Sequence, residues 1–544
     1  MIATFPLFQH STNISNHGDI NRGLIYSGVA QESILAGHMP TWNPYLCGGS
    51  PLFGDVESWF LQPFFFLTLP FDELLAMKVS FALTLCTAFV GFVVLGRRVL
   101  GFQHLGALTF GLIMAFGGYI SQHLAEGYFV WVSSAWIPWF LLAGITSIKN
   151  IRYVPVAGLM LAFMFGAGSM HMVVYSLLFL GLVFLFMSFR APTRNPRVLF
   201  VLLGIVFFFI LFAAIKLIPV LSVLETNESR LGFTPAITLL PQMLFARGSL
   251  PAIPYNGDVY RWGEFGNYIG YISIALVLFA LMHKRDRLWK NYKPFFLASA
   301  VILVLAFTSF PITHGVVSKV GDLFRMPSRL MFFPVIGIAI LAAHGMELIS
   351  TSFPRRREST RLDPGSEAGM TIALIIMFML AADLISNDYT MFARTFSVPL
   401  PEEIHVESKF MRVKHSYTTS DEKYYRAAYI DYLENRGVND LCRFYQHTPA
   451  TSAINGSDKK KPDRGEVYLV DTKAGSVNFI RRDDQKFVVA VDIKQPTSLM
   501  VNMNYYSGWK TKEGFPVQDR DGLIEVVLPI GANIVTLLYG YYST

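Results

Sequence analysis

Two aspartates have the strongest claim to chemistry in this sequence. Asp19 lies in the run Asn16-His-Gly-Asp-Ile-Asn-Arg22, and Asp55 follows a Gly-Gly turn together with Glu57. A carboxylate beside a bound hydroxyl can take its proton and act as a general base. Asp19 and Asp55 are therefore both candidates for a catalytic base.

Basic side chains near these acids could hold an anionic group. Arginine offers a planar fork of N–H donors that fits two oxygens of a phosphate. Lys216 lies inside an apolar stretch, where an ammonium group is costly unless it is paired, so either a function or a buried partner explains it. The candidate substrate- and phosphate-binding residues are Arg230, Arg325, Arg329, Lys216, His123, His171 and Glu225.

Metal and thiol chemistry have little support. The pair Asp55-Val-Glu57 could hold a divalent cation, but no histidine has HxxH or HExxH spacing, and we assign no metal ligand. Cys47, Cys86 and Cys442 are far apart and show no disulfide framework. We expect three free thiols and no obligatory cofactor, with a divalent cation as an alternative.

Composition places these residues in a membrane protein. Of the 544 residues, 53% are hydrophobic and 15% are charged, against about 25% charged in soluble domains. The net charge of +7 does not indicate nucleic acid, because the basic residues occupy short loops between apolar runs, where they set orientation. Trp131, Trp136 and Trp139 fit an aromatic belt at the membrane surface.

Ten apolar stretches approach the roughly 20 residues of a membrane span. The fourth and fifth are separated only by Gly166-Ala-Gly-Ser-Met-His171, which predicts a tight hairpin. With ten spans, five basic loops fall on the cytoplasmic side, as the positive-inside rule requires. The predicted spans are 73–99, 104–124, 128–148, 153–168, 170–189, 198–224, 267–284, 293–310, 329–349 and 370–386.

This topology divides the chain into three parts. Residues 1–72 form an extracytoplasmic loop region, 73–390 the transmembrane domain and 391–544 an extracytoplasmic β-rich domain. An N-terminus outside the cytoplasm without a signal peptide is unusual for a long polar start. We therefore expect a first helix upstream that this chain lacks, with Met1–Phe8 as its outer end.

Six strand-like runs in the C-terminal part alternate apolar and polar residues and predict an antiparallel β-sandwich. They are Glu466–Asp471, Ser476–Arg482, Phe487–Lys494, Leu499–Tyr506, Leu523–Pro529 and Asn533–Tyr541.

The stretch 37–60 is too interrupted by proline and glycine to span a membrane, so it is predicted to be a shaped loop. Its shaping residues are Trp42, Asn43, Pro44, Gly48 and Gly49.

The run Gly37-His-Met-Pro-Thr-Trp-Asn-Pro-Tyr-Leu-Cys-Gly-Gly-Ser-Pro-Leu52 resembles the "G-x-x-P-x-W-N-P-y-x-x-x-G-x-P-L" signature of bacterial YfhO-type membrane proteins. These proteins belong to the GT-C-like superfamily of glycosyltransferases. Further similar segments follow in the same order along the chain: Ala135–Trp139, Pro219–Arg230, Tyr268–Gly270, Phe324–Arg329 and Tyr505–Trp509.

The resemblance implies a GT-C-like polytopic helical fold in the inner (cytoplasmic) membrane. It implies transfer of a sugar from a polyprenyl-phosphate carrier to a cell-envelope glycan on the outer face. An acid of the first external loop is the usual base in such enzymes. Asp19 matches that position, so the resemblance implies Asp19 as the catalytic base, with Asp55 as the second choice. Attack by a deprotonated hydroxyl would invert the anomeric carbon. Two other classes stay open: a transporter or flippase for a lipid-linked substrate, and a non-catalytic envelope assembly protein.

Overall fold

The computed structural model describes residues 2–188, 197–224, 237–248, 253–255, 258–260, 262–283, 285–308, 326–351, 364–413, 421–438, 464–482 and 486–540. The candidate site residues Glu225, Arg230 and Arg325, and also Cys442, lie outside these ranges.

Helices dominate the chain before residue 400. The α-helices are α1 (Pro6–Gln9), α2 (Gly18–Leu35), α3 (Pro63–Thr68), α4 (Glu73–Arg98), α5 (His104–Phe116), α6 (Gly118–Ala125), α7 (Ile137–Ser147), α8 (Tyr153–Gly166), α9 (Met170–Ser188), α10 (Arg197–Leu224), α11 (Leu240–Phe245), α12 (Tyr271–Met282), α13 (Arg285–Ala306), α14 (Phe332–Thr351), α15 (Pro364–Thr395) and α16 (Asp421–Leu433). Short 3₁₀ helices are Phe129–Trp136, Ile237–Leu239, Trp262–Glu264 and Pro327–Met331.

The apolar helices agree with a multi-pass membrane protein. Among the described residues, seven segments are long and apolar enough to cross a membrane: Glu73–Arg98, His104–Ala125, Phe129–Ser147, Met170–Ser188, Arg197–Ser222, Pro327–Thr351 and Gly369–Thr395. Shorter apolar helices, Tyr153–Gly166, Tyr271–Met282 and Tyr292–Ala306, fall at the other three predicted spans. The total of ten spans, the side of each loop and the domain boundaries stay predictions.

The predicted hairpin between the fourth and fifth spans is confirmed as a break between two helices. Helix α8 ends at Gly166 and α9 begins at Met170. Gly168 has φ +86°, a backbone conformation that residues with a Cβ rarely adopt.

Residues 1–72 contain more regular structure than the predicted loop region. Helix α2 buries Ile20, Leu24 and Val29. It packs against α16, and the Tyr432 hydroxyl donates to Glu32 at 2.9 Å. At Gly28, a Cβ would lie only 2.1 Å from that hydroxyl oxygen. The close approach of α2 to α16 therefore requires glycine at this position.

The predicted β-rich C-terminal region is confirmed. Its strands are β7 (Val467–Leu469), β8 (Gly475–Arg482), β9 (Lys486–Ile493), β10 (Thr497–Asn504), β11 (Trp509–Thr511), β12 (Val517–Arg520), β13 (Leu523–Leu528) and β14 (Ile534–Tyr539). They form two antiparallel sheets with orders β12-β13-β10-β7 and β11-β14-β9-β8. Leu499 and Val526 of one sheet share a buried core with Val489 and Val535 of the other. Of the described strands of the two sheets, the short β11 and β12 were not predicted from the sequence.

Smaller strand pairs lie outside the sandwich. They are β1 (Trp42–Asn43) with β2 (Ser50–Pro51), β3 (Ile253–Tyr255) with β4 (Asp258–Tyr260), and the parallel pair β5 (Met411–Val413) with β6 (Arg436–Val438).

The predicted loop at 37–60 is joined to the sandwich by Trp42. Its ring is 1% exposed and lies 4.9 Å from the Trp509 ring and 4.7 Å from the Tyr539 ring. At Gly49, with φ +97°, a Cβ would come within 2.5 Å of the Trp42 ring. The tryptophan and the glycine therefore fit together in the sandwich core.

Polar contacts complete this attachment. The Asn504 side chain donates to the carbonyls of Cys47 and Gly49, and its backbone N–H donates to Gly48 at 3.0 Å. Asn43 accepts from the backbone N–H of Tyr45 at 3.0 Å, which closes the turn. The carbonyl of Pro44 accepts from Arg412 at 3.3 Å.

The prediction of three free thiols is wrong. Cys47 is disulfide-bonded, whereas Cys86 is a free thiol. Sequence spacing alone could not reveal the bond, because the loop is placed against distant parts of the chain only by folding.

Replacing Trp42 with alanine should destabilise the sandwich by about 3–5 kcal/mol, the usual cost of removing a buried aromatic ring. Thermal unfolding of the purified chain measures this, and limited proteolysis should show earlier cleavage within residues 37–60. Trp139, which is only partly buried, supplies the control, and Trp139→Ala should cost about 1 kcal/mol. Equal losses for the two variants would contradict the anchoring role of Trp42.

Candidate active site

Asp19 occupies the first turn of α2, and its side chain is 40% exposed. The positive end of the helix dipole favours a carboxylate at this position. Arg22 lies one turn later, where an i,i+3 partner faces the same side. Its guanidinium is 3.5 Å from Asp19 and only 4% exposed. Helix α2 therefore carries a partly exposed carboxylate, Asp19, next to the buried guanidinium of Arg22.

Arg22 joins this helix to the loop after Gly49. It forms an ion pair with Glu57, and Tyr26, one turn further along α2, donates to Asp55 at 2.6 Å. Asp55 also accepts the backbone N–H of Glu57 at 2.8 Å. Burial and the Asp55 carboxylate raise the pKa of Tyr26 well above its usual value, so the phenol remains a donor. Asp55 is thus held through both oxygens, whereas the Asp19 side chain, paired with Arg22, is 40% exposed.

Lys216 supports the same loop from within the membrane helices. Its ammonium group donates to the carbonyls of Val56 at 3.1 Å, Ser58 at 2.5 Å and Phe165 at 3.1 Å. The side chain is 1% exposed. All three ammonium protons are used in these bonds. In this arrangement Lys216 therefore positions the loop that carries Asp55 and Glu57, called the acidic loop below, and has no proton left for a phosphate.

A second charged cluster centres on Arg329. Its guanidinium makes a bidentate pair with Glu264, at 2.8 and 2.6 Å. It also lies over the rings of Trp131 and Tyr128, at 5.0 and 5.6 Å from their centroids. Burial alone would raise the pKa of Glu264, but Arg329 lowers it to about 2. The pair is therefore fully charged and internally neutral.

His123 packs beside this pair. Its ring stacks on Trp131, with centroids 4.8 Å apart and planes at 9°, and Nδ1 lies 2.7 Å from the Tyr119 carbonyl. That contact makes Nδ1 the donor. Nε2 is buried and has no hydrogen-bond partner among the described residues. Trp131 is 1% exposed, so its predicted place in a membrane-surface belt is wrong.

The two clusters meet at Gly127 and Tyr128. A Cβ on Gly127 would lie 3.1 Å from His17 and 3.8 Å from Asp19. Tyr128 follows Gly127 directly, and its ring lies under the Arg329 guanidinium, 5.6 Å from the ring centroid. A single turn thus brings the start of α2 beside the Arg329–Glu264 pair.

The β-sandwich reaches the acidic loop as well. Tyr506 is partly buried, and the Asp55 carboxylate adds to burial in raising its pKa. Its ring also touches Trp42, with centroids 5.7 Å apart. The site therefore lies where α2, the acidic loop and the sandwich come together.

The structure brings many of the predicted residues into this region. Asp19, Asp55, His123 and Arg329 belong to the two clusters, and Lys216 lies beneath the loop. His171 is partly buried, with its ring 6.0 Å from the ring of Tyr175. Glu225, Arg230 and Arg325 lie outside the described ranges, so their binding roles stay predictions.

Arg22, Tyr26 and Glu264 received no role from the sequence. The i,i+3 spacing of Asp19 and Arg22 was a usable signal, but only after α2 had been recognised as a helix. Glu264 and Arg329 are 65 residues apart, and nothing local links them. In the described part of the chain, no group of three or more potential metal-ligating side chains comes together. The Asp55-Val-Glu57 cation pair stays a prediction.

These features define a multi-pass helical membrane protein with a carboxylate–arginine site beside a C-terminal β-sandwich. No protein-family model and no curated protein matches the chain, so membership of the YfhO-type family stays a prediction. The chain is similar to the crystal structure of ArnT from Cupriavidus metallidurans in the apo state, with a TM-score of 0.45 and 11% identity over 91% of this chain and 96% of that chain. It is also similar to the cryo-EM structure of arabinofuranosyltransferase AftD from Mycobacteria, with a TM-score of 0.36 and 14% identity over 70% of this chain. The match spans 27% of AftD.

Replacing Lys216 with methionine keeps the length of the side chain but leaves three carbonyls without their donor. We expect a loss of about 3 kcal/mol in unfolding free energy and faster amide hydrogen exchange at 55–58. Lys149 is exposed, and Lys149→Met should change stability by less than about 0.5 kcal/mol. Unchanged exchange at 55–58 in the Lys216 variant would show that the loop does not depend on this ammonium group.

The Glu264–Arg329 pair predicts a loss of stability in acid. Because the pKa of Glu264 falls from 4.5 to about 2 on folding, the carboxylate stabilises the fold above pH 4.5 and loses this effect as the pH falls through 2. The full effect is roughly 3 kcal/mol. Melting temperatures between these pH values should fall less steeply for Glu264→Gln than for the wild type. Identical slopes would argue against a charged pair.

Proposed function

We propose that this chain is a membrane glycosyltransferase of the GT-C-like class. In this proposal it transfers a sugar from a polyprenyl-phosphate carrier to a hydroxyl group of a cell-envelope glycan. The observation that carries the proposal is the open Asp19 carboxylate, fixed by the first turn of α2 and by Arg22 beside the acidic loop. The YfhO-type signature in that loop supports the same class.

The proposed reaction is a single displacement. Asp19 accepts the proton of the acceptor hydroxyl, and the oxygen attacks the anomeric carbon of the sugar. The bond between that carbon and the phosphate oxygen breaks, and polyprenyl phosphate leaves with the electron pair. Attack from the face opposite the leaving group inverts the anomeric carbon.

Asp19 is favoured over Asp55 as the base because of their surroundings. Asp55 already accepts from Tyr26 and from the Glu57 backbone, so its lone pairs are directed inward. Asp19 has the most exposed carboxylate of the Arg22-linked group, at 40% against 24% for Glu57. An acceptor hydroxyl could therefore approach Asp19 from solvent.

Several basic groups are proposed to hold the phosphate of the donor. Arg22 and Arg329 already carry carboxylate partners, so a phosphate would have to share or displace Glu57 or Glu264. Arg230 and Arg325 are proposed to supply further charge. The buried His123 Nε2, whose ring is fixed by Trp131, could accept a hydrogen bond from a sugar hydroxyl.

The proposed location is the cytoplasmic (inner) membrane, with the site and the sandwich outside the cytoplasm. The disulfide at Cys47 supports this orientation, since disulfides persist in oxidising compartments. The loop that carries Cys47 also contacts the sandwich through Asn504, so both would face the same compartment.

Replacing Asp19 with asparagine should lower glycosyl transfer by about 10²- to 10⁴-fold, the usual contribution of a general base, while leaving the fold intact. The assay supplies labelled polyprenyl-phosphate sugar and envelope glycan to proteoliposomes and measures labelled glycan. Asp72→Asn is the matched control, because Asp72 caps α4 by accepting from Leu75 and asparagine caps equally well.

Full activity of Asp19→Asn would remove Asp19 from the role of base. Movement of labelled lipid across the membrane without a new glycosidic bond would instead identify a transporter. If the wild type did neither, while its deletion changed envelope assembly, a non-catalytic role would be supported.

A further inference from the structure

A second concave site lies at the other end of α4 and α5 from the acids. The cavity has a volume of about 520 Å³ and is lined by Val93, Val94, Arg97, Arg98, His104 and Leu108. Its size falls within the roughly 300–1,000 Å³ typical of small-molecule pockets. The proposed sugar transfer uses none of these residues.

The lining combines two kinds of chemistry. Arg97 and Arg98 are the last two residues of α4, and His104 is the first residue of α5. Within the described part of the chain, neither arginine forms an ion pair. Valine and leucine side chains cover the adjoining wall. A ligand that fits must therefore carry an anionic head and an apolar body.

One described acid near this end of the molecule, Glu347, is already engaged. Glu347 of α14 accepts the backbone N–H of Gln103 and packs against Gly106. It stabilises the start of α5 and does not neutralise Arg97 or Arg98. The cavity therefore keeps a net positive charge.

The position of the cavity along the helix selects the class of ligand. Helix α4 has 26 residues and is about 39 Å long at 1.5 Å per residue, so its end lies near the surface of a bilayer about 30 Å thick in its core. Arg97 and Arg98 are then at the level of lipid head groups, with Val93 and Val94 one turn deeper. Basic pockets between helices at this level bind anionic lipid head groups.

We propose that this cavity binds an anionic phospholipid of the bilayer. The lipid phosphate lies between Arg97 and Arg98, and His104 contacts the head group from α5. One acyl chain runs along Val93, Val94 and Leu108. The lipid thereby bridges the end of α4 and the start of α5 at the membrane face opposite the acidic site.

Native mass spectrometry of the full chain in nanodiscs tests this proposal. The nanodiscs contain equal amounts of phosphatidylglycerol and phosphatidylcholine, and the lipid retained by the released protein is identified. We expect the wild type to retain phosphatidylglycerol. The Arg97→Gln/Arg98→Gln variant should bind it roughly thirty-fold more weakly, because each basic residue near the surface contributes about fivefold.

A matched variant removes the same charge nearby. Lys149 and Arg152 are exposed residues of the next basic loop and do not line the cavity. Lys149→Gln/Arg152→Gln should retain phosphatidylglycerol as the wild type does. An equal loss in this control would overturn the proposal, because it would show a general effect of surface charge.

Two measurements on the wild type need no variant. Phosphatidylglycerol should raise the melting temperature more than phosphatidylcholine does, and excess inorganic phosphate should not displace the retained lipid. Equal stabilisation by both lipids would overturn the proposal. Displacement by inorganic phosphate would also overturn it, because it would identify a site for free anions.

Discussion

The buried ammonium group of Lys216 is the constraint on which the candidate site depends. A lysine within a membrane helix is costly unless its charge and protons are satisfied. Three backbone carbonyls meet that need, two in the acidic loop and one at the end of α8. The helix therefore cannot pack without the loop, and the loop cannot shift without leaving the ammonium group exposed to an apolar surrounding.

Other contacts also hold the acidic loop in a fixed position. Trp42 lies in the core of the sandwich, and Glu57 is paired with the buried Arg22 of α2. These contacts differ in kind: apolar packing on one side, ion pairing on another and hydrogen bonds to Lys216 below. A loop rich in proline and glycine would otherwise be flexible. Fixed from three sides, it can hold acids at set positions relative to the membrane, which is what catalysis by positioned groups requires.

The sequence predicts the helices well because a membrane span demands a long apolar run, and that demand is local. Helix α2 was not predicted from the sequence, because Gly23 and Gly28 lower the helix propensity of this segment. Both glycines have tertiary causes: a Cβ on Gly23 would lie 2.8 Å from Phe129, and one on Gly28 would meet Tyr432. The Asp19–Arg22 pair depends on that helix. The contact of Asn504 with Cys47 spans 457 residues, and no local pattern encodes it.

We propose that the lipid-linked sugar donor binds where α2, the acidic loop and the turn at Tyr128 meet. Photo-crosslinking with a polyprenyl-phosphate sugar that carries a photoreactive group beside the phosphate tests it most directly. We expect labelled peptides that contain residues 16–26, 52–60 or 126–131. The label should be lost when unlabelled donor competes. Labelling confined to the opposite end of the helices, near Arg97 and Arg98, would contradict it.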